Sequence, residues 1–365
     1  MPENTAATDA LPALWSPVTV GALTLPHRLA MAPMTRDRST PEGVPTELNA
    51  EYYVQRASHA LVITEGTQPS ADGQGYLLTP GLHSEEQVAG WRKVADAVHA
   101  EGGRLVVQLM HTGRIAHPDN TPHGRRPVAP SAVRPAGTMF TLTGPQEMPE
   151  PRALTTDEVA ATVEDFRRAA ANARAAGADA VEIHGANGYL VHQFLADNSN
   201  RREDRYGGSL ENRVRFAVEV ATAVAEEIGA DRTGIRISPG NPYNDIAESD
   251  TAALYPALVR ALAPLNLAYL HLLHGGNEEL LDTLRGLWPT ALLLNRAGAD
   301  LADRAADIAS GRADVITVGA LALANPDLPE RVRSGAPLNT PDPATFYGGD
   351  AKGYTDYPAL STPSV

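Results

Sequence analysis

The chain has 365 residues, 43% of them hydrophobic and 20% charged, with 44 acidic against 30 basic side chains and a formal charge of −14. That field repels phosphate backbones and speaks against a nucleic-acid partner. The absence of cysteine excludes disulfides, thiolate zinc sites, Cys-ligated iron–sulfur clusters and Cys nucleophiles. The first residues, MPENTAATDALPAL, lack a basic segment followed by an apolar one, so no signal peptide is expected. No apolar run approaches the roughly 18 residues that a membrane span needs. The expectation is a soluble, cytoplasmic protein, a monomer or homodimer.

In chain order, short β-branched runs alternate with amphipathic stretches. Candidate strands are Arg28–Met34, Leu61–Glu65, Arg104–Met110, Ala180–His184, Gly234–Ser238, Ala268–Leu273, Ala291–Leu294 and Asp314–Val318. Helical patterns fall between and after them, at Glu47–Ala57, Ser84–Glu101, Thr156–Ala176, Leu210–Ile228, Thr251–Leu262, Glu278–Leu287 and Leu301–Ser310, with a last turn near Pro326–Arg333. Thr155–Thr156–Asp157–Glu158 opens a helix with hydroxyl caps and early acids, and Gly177 and Gly229 close helices just before strands. Eight such units predict an α/β protein, a single closed (β/α)₈ TIM barrel over residues 15–335. Residues 1–14 are expected to be a flexible tail. Residues 112–152 lie in a stretch, His111–Arg152, that carries eight prolines and no helical period, which predicts a long lid-like excursion after strand three. Residues 336–365 are polar but hold Phe346, Tyr347, Tyr354 and Tyr357, which predicts docking onto the barrel.

In such barrels chemistry gathers where strands end. Strand one ends in Ala32–Pro33–Met34–Thr35–Arg36, strand two in Glu65–Gly66–Thr67, strand three in Gln108–Leu109–Met110–His111 and strand four in His184–Gly185–Ala186–Asn187–Gly188–Tyr189. Strand five carries Arg236, strand seven leads to Asn295–Arg296–Ala297–Gly298, and strand eight to Gly319–Ala320. Arg and Gln inside a barrel imply a polar ligand. Glycines after strands seven and eight match the usual phosphate site. A planar heterocycle joined to a phosphate fits both ends, and noncovalent FMN is the economical candidate. No metal-binding pattern is present. There is no GxGxxG after a strand either, so NADPH or NADH should bind transiently in the substrate pocket.

The stretches LPHRLAMAPMTR (25–36), QLMHTGRIAHP (108–118), EIHGANGYLVHQFLADNSNRREDRYGGSLENR (182–213), IRISP (235–239), ANPDLPER (324–331) and FYGGDAKGYTDYP (346–358) resemble the Old Yellow Enzyme family of FMN-dependent ene-reductases. The resemblance implies hydride transfer from NAD(P)H through FMN to activated alkenes, C=C bonds conjugated to a carbonyl or nitro group. It implies that Ala32, Pro33 and Met34 line the flavin and that Thr35 bonds the carbonyl beside N5; a helix cap is the other reading of Thr35. Gly66 would bring its backbone close to the ring, Gln108 would pair with the pyrimidine, and Arg236 would stabilise negative charge at its N1–C2 edge, unless it is a structural ion pair. His184 and Asn187 would hold a substrate carbonyl as an oxyanion hole, and Tyr189 would protonate the α-carbon. A packed aromatic whose hydroxyl merely finds a partner is the other reading of Tyr189. Tyr76 and Tyr347 would wall the site, and Met110 stands where many relatives have Trp, which should widen the pocket.

One departure concerns the phosphate. Gly298–Ala299 and Gly319–Ala320 would surround it, but relatives commonly have Gly–Arg where this chain has Gly319–Ala320. Arg296 is the candidate substitute cation, with a solvated surface charge as its alternative. Rival functions are a flavin-binding barrel with low turnover, a reductase mainly of nitro or nitrate-ester compounds, and a flavin-free aldolase or hydrolase. Lys93 and Lys352, the chain's two lysines, stand at no strand end, which weighs against an aldolase.

Overall fold

A computed structural model describes residues 9–360. Eight parallel strands close a barrel in chain order: β1 (Leu29–Met31), β2 (Val62–Ile63), β3 (Leu105–Leu109), β4 (Ala180–Gly185), β5 (Thr233–Ile237), β6 (Tyr269–Leu273), β7 (Ala291–Asn295) and β8 (Val315–Val318). β8 pairs back to β1 with Ile316 opposite Leu29, which completes the ring. Strands covered on both faces need no polar alternation, and these are buried nearly throughout. β1 stops short of the expected Met34 because the chain leaves the ladder at Pro33, which has no N–H to give.

The outer helices are α1 (Glu47–Val54), α2 (Glu85–Ala100), α3 (Thr156–Ala175), α4 (Leu190–Leu195), α5 (Leu210–Ile228), α6 (Thr251–Leu262), α7 (Glu278–Leu287), α8 (Leu301–Ala309), α9 (Ala320–Ala324) and α10 (Leu328–Ser334). Thr155 and Glu158 cap α3 reciprocally, with N–H···O distances of 3.2 and 2.8 Å. Helix α4, sequence LVHQFL, has no polar stripe because every one of its side chains is buried. That removes the periodicity by which a surface helix is read.

The expected tail at residues 1–14 needs correction. Residues 1–8 lie outside the described residues, and those after them are not loose. Pro12–Trp15 form a 3₁₀ turn, Leu14 is fully buried in the main core, and the Ala10 N–H donates to the Arg333 carbonyl at 3.0 Å. Next comes an antiparallel hairpin, Val18–Val20 with Leu23–Leu25, for which the sequence reading made no provision. Its Val20, Leu23 and Leu25 pack with Leu61, Val106, Leu293 and Val315, sealing the end of the barrel opposite the strand C-termini.

Between β3 and α3 the chain forms a hairpin, Thr138–Thr141 with Gly144–Glu147, and a short pairing of Val128–Ala129 with Arg152–Ala153. Met139 and Met148 from this region pack with Ile115 against Met110 and Tyr189. At the other end of the chain, Tyr354 is buried and stacks on Tyr52 at 4.1 Å between ring centres. The Arg36 guanidinium donates to the Phe346 and Gly353 carbonyls at 2.9 and 2.8 Å, and Arg38 lies 4.5 Å over the Tyr354 ring. These contacts bring Phe346 and Tyr347 to the rim formed by the strand C-termini. Among the described residues no helix is long and apolar enough to cross a membrane.

Candidate active site

Parallel register gathers the polar side chains. Gln108 on β3 lies opposite Glu182 on β4, and His184 lies beside Arg236 on β5, which lies beside His271 on β6. The Gln108 Nε2 donates to Glu182 at 2.7 Å; the other Glu182 oxygen accepts from the His271 Nδ1 at 2.8 Å, and His271 Nε2 meets the Thr317 hydroxyl at 2.9 Å. Burial alone raises the Glu182 carboxyl, but His271, Arg236 and Gln108 more than offset it and keep it ionised. This supporting network joins side chains from four strands, β3, β4, β6 and β8, that no local motif connects.

Above it opens a cleft of about 490 Å³, a size suited to a cofactor. Of the candidate flavin residues, Pro33, Met34, Thr35, Gln108, Arg236, Gly319, Ala320 and Tyr347 line it. So do all the candidate substrate residues, Tyr76, Met110, His184, Asn187 and Tyr189. Ala32 stands behind the wall, with its N–H on the Val318 carbonyl. Gly66 also lies behind: a Cβ there would sit 2.4 Å from the Met110 sulfur, so the Met110 side chain as placed packs directly on the bare backbone. Gly298 and Ala299 lie in the loop after β7, outside the cleft wall. Four lining residues were missed as site residues: Tyr243, Asn244, Leu323 and Phe346. The first two follow β5 at the C-terminal face, a position that signalled them.

Several groups in the cleft have their orientation set by neighbours. The Ala186 N–H donates to His184 Nδ1 at 3.3 Å, so Nδ1 is the acceptor and Nε2 carries the proton. Burial and the nearby Arg236 charge push His184 well below the ordinary histidine range, so the ring is neutral. Asn241 donates to Asn187 Oδ1 at 3.0 Å and Asn244 to the Asn187 carbonyl at 2.7 Å, which leaves the Asn187 Nδ2 free to donate. Asn187 itself adopts φ +55° and Gly188 φ +79°. A Cβ on Gly188 would approach the Tyr243 carbonyl to 2.6 Å. Burial raises the Tyr189 phenol above its ordinary value, so it holds its proton; its oxygen lies 2.9 Å from that of Tyr76.

Three polar groups facing the cleft lack protein partners among the described residues. The Thr35 hydroxyl makes no hydrogen bond, and α1 is capped instead by Thr46, which removes the helix-cap reading. The Arg236 guanidinium makes none either, and its buried Nε is unsatisfied, a costly state without a ligand. Gln108 commits only its Nε2, leaving Oε1 as an acceptor.

The expectation for Arg296 is overturned. Its guanidinium holds Asp307 at 2.6 and 2.9 Å and Glu278 at 2.7 and 3.0 Å, with His274 Nδ1 also 3.0 Å away. Two carboxylates already occupy its planar fork, so no charge remains for a phosphate. It is neither the substitute cation nor a free surface charge. A separate depression of about 380 Å³, between α3 and residues 69–83, is lined by the solvated helix charges Asp165, Arg167 and Arg168 and by Ser70, whose buried hydroxyl has no hydrogen-bond partner among the described residues.

Comparison with known proteins agrees with this arrangement. Residues 13–339 match the NADH:flavin oxidoreductase / NADH oxidase family, and the chain belongs to that family. It is 41% identical over 366 residues to a probable flavin mononucleotide-dependent alkene reductase of Leishmania infantum, covering 97% of this chain and 100% of the relative. It is 42% identical over 374 residues to 12-oxophytodienoate reductase 1 of Oryza sativa subsp. japonica, with 98% and 96% covered. The structure of morphinone reductase in complex with tetrahydroNAD superposes with a TM-score of 0.91 at 45% identity, covering 95% of this chain and 97% of that one. The chain is thus an FMN-dependent oxidoreductase with a nicotinamide reductant. The cleft fits that cofactor: the unpaired Thr35 hydroxyl, the Arg236 guanidinium and the Gln108 amide match the acceptors and donor on one edge of an isoalloxazine.

Proposed function

We propose that the cleft reduces C=C bonds conjugated to a carbonyl or nitro group, with NADPH or NADH binding first and leaving before the alkene enters. The convergence of the His184 Nε2–H, the Asn187 amide and the Tyr189 hydroxyl on one cleft carries this reading. FMN, once reduced by the nicotinamide, would supply hydride to the β-carbon. Pro33, Met34, Thr35, Gln108, Arg236, Gly319 and Ala320 hold the cofactor, and the Arg236 charge favours electron density at its pyrimidine edge.

His184 and Asn187 donate to the substrate oxygen, where negative charge grows as the β-carbon is attacked. Both donors are held before substrate arrives, so little reorganisation opposes the step. Tyr189 gives its proton to the α-carbon, a task suited to a phenol that stays protonated at neutral pH. Tyr76, in contact with the Tyr189 oxygen, supports that proton. Met110 walls the cleft, and Met139 and Met148 pack with it and with Tyr189 as an adaptable apolar backing.

The test is direct. Purified protein is expected to be yellow, to bleach anaerobically with NADPH or NADH, and to regain its colour with cyclohexenone while forming cyclohexanone. Bleaching without recolouring by cyclohexenone or a nitroalkene would overturn the alkene assignment, and protein that stays colourless after FMN is added would overturn the flavin reading of the cleft.

A further inference from the structure

Arg296 being committed elsewhere, the loops after β7 and β8 still need a cation if they hold a phosphate. Arg304, on α8, is 5% exposed. Its Nε donates to the Ala299 carbonyl at 3.1 Å and its Nη1 to the Thr317 carbonyl at 2.9 Å. Ala299 lies in the loop after β7, and Thr317 stands two residues before Gly319 at the end of β8. The guanidinium therefore bridges the two loops where barrels of this kind commonly hold phosphate. Among the described residues its hydrogen bonds go to carbonyls alone, and Nη2 donates to no protein group. Asp307, the acid whose field reaches it, is clamped by Arg296. A guanidinium this enclosed, with carbonyls alone on it, keeps a full charge that an anion at the free Nη2 would compensate. The N–H groups of Gly298, one residue before Ala299, and of Gly319, two residues after Thr317, have no protein acceptor among the described residues.

We propose that Arg304 is the cation that meets the phosphate of FMN in this chain, standing in from α8 for the side chain that Ala320 does not provide. The proposal rests on the reading above, in which the phosphate end of the flavin lies at the β7 and β8 loops. Arg304 binds the cofactor and takes no part in the chemistry.

The experiment is competition between FMN and riboflavin. Holoenzyme is equilibrated with mixtures of the two, and the retained flavins are separated and counted. Their ratio isolates the phosphate, since a general loosening of the barrel weakens both flavins alike. R304Q is expected to lower the preference for FMN by about ten- to a hundred-fold, the range of a charge-assisted bond. R304Q/A320R is expected to regain at least part of it. An R304Q ratio equal to that of the wild type overturns the proposal and leaves Arg304 as a clasp between loops. Should R304Q not fold, the wild type still decides: a preference for FMN below about three-fold means that no buried cation meets the phosphate. Either failure leaves alkene reduction intact, whereas wild-type protein that retains neither flavin overturns the underlying reading instead.

Discussion

The hydroxyl oxygens of Tyr76 and Tyr189 lie 2.9 Å apart, and the Tyr189 ring meets that of His184 edge-on at 4.9 Å. The phenol proposed as proton donor is therefore held from two sides, one polar and one aromatic. Tyr189→Phe keeps the ring contact and removes the proton. Reoxidation of reduced enzyme by cyclohexenone should slow by about 10²–10⁴-fold, the usual range for general acid catalysis. Bleaching by NADPH should hardly change, because hydride arrives without Tyr189. Stopped-flow measurement of the two half-reactions checks this; equal rates for Tyr189→Phe and wild type with the enone would remove Tyr189 from the mechanism.

His184 and Asn187 should act together on one oxygen. Removing either donor, in His184→Ala or Asn187→Ala, is expected to cost about 10²–10³-fold in enone turnover. Both should also weaken the long-wavelength charge-transfer band formed with p-hydroxybenzaldehyde. Asn241→Ala is a milder case. It frees the Asn187 amide that Asn241 now orients at 3.0 Å, so the phenol should bind several-fold more weakly with no change in flavin content. Titration by absorbance distinguishes the three.

Arg236 has no protein hydrogen-bond partner among the described residues and one unsatisfied buried nitrogen. Its charge should favour the reduced, electron-rich flavin. Arg236→Gln should therefore lower the flavin midpoint potential by about 30–60 mV, taking 1.5–3 kcal/mol for the lost charged contact and a two-electron couple. A redox titration with a reference dye reads this without any substrate. An unchanged potential would return Arg236 to a purely structural role.

Two buried histidines make stability depend on acid. Burial pushes His59 down to about 3 and His111 down to about 4 from an ordinary 6.5. Below pH 6.5 the unfolded chain binds protons that the folded one refuses, so stability falls as pH falls. The loss continues until the folded values are reached, at up to about 1.4 kcal/mol per pH unit for each ring. The denaturation midpoint should drop between pH 7.5 and 5, and His111→Asn should flatten that slope even if it lowers stability overall. A midpoint independent of pH across this window would contradict the burial of these rings as neutral groups.

The strand and helix order was legible because it rests on local signals. β-Branched runs, capping residues such as Thr155 and Glu158, and glycines at 177 and 229 act within a few residues, and so do the strand-end motifs holding His184, Asn187 and Tyr189. From these the barrel and most of the cleft follow, since parallel strands must point their C-terminal ends to one side. What depended on packing between distant segments was not legible. Nothing near Leu14 or Val18–Leu25 in the sequence shows that they are buried, because their partners are residues such as Leu293 and Val315. The same holds for the charges. Arg296 and Arg304 look equally available along the chain, and only the fold brings Asp307 and Glu278 onto the first while placing the second between two loops without a carboxylate. A side chain's type states which bonds it can make; which of them it does make is decided by the neighbours that folding supplies.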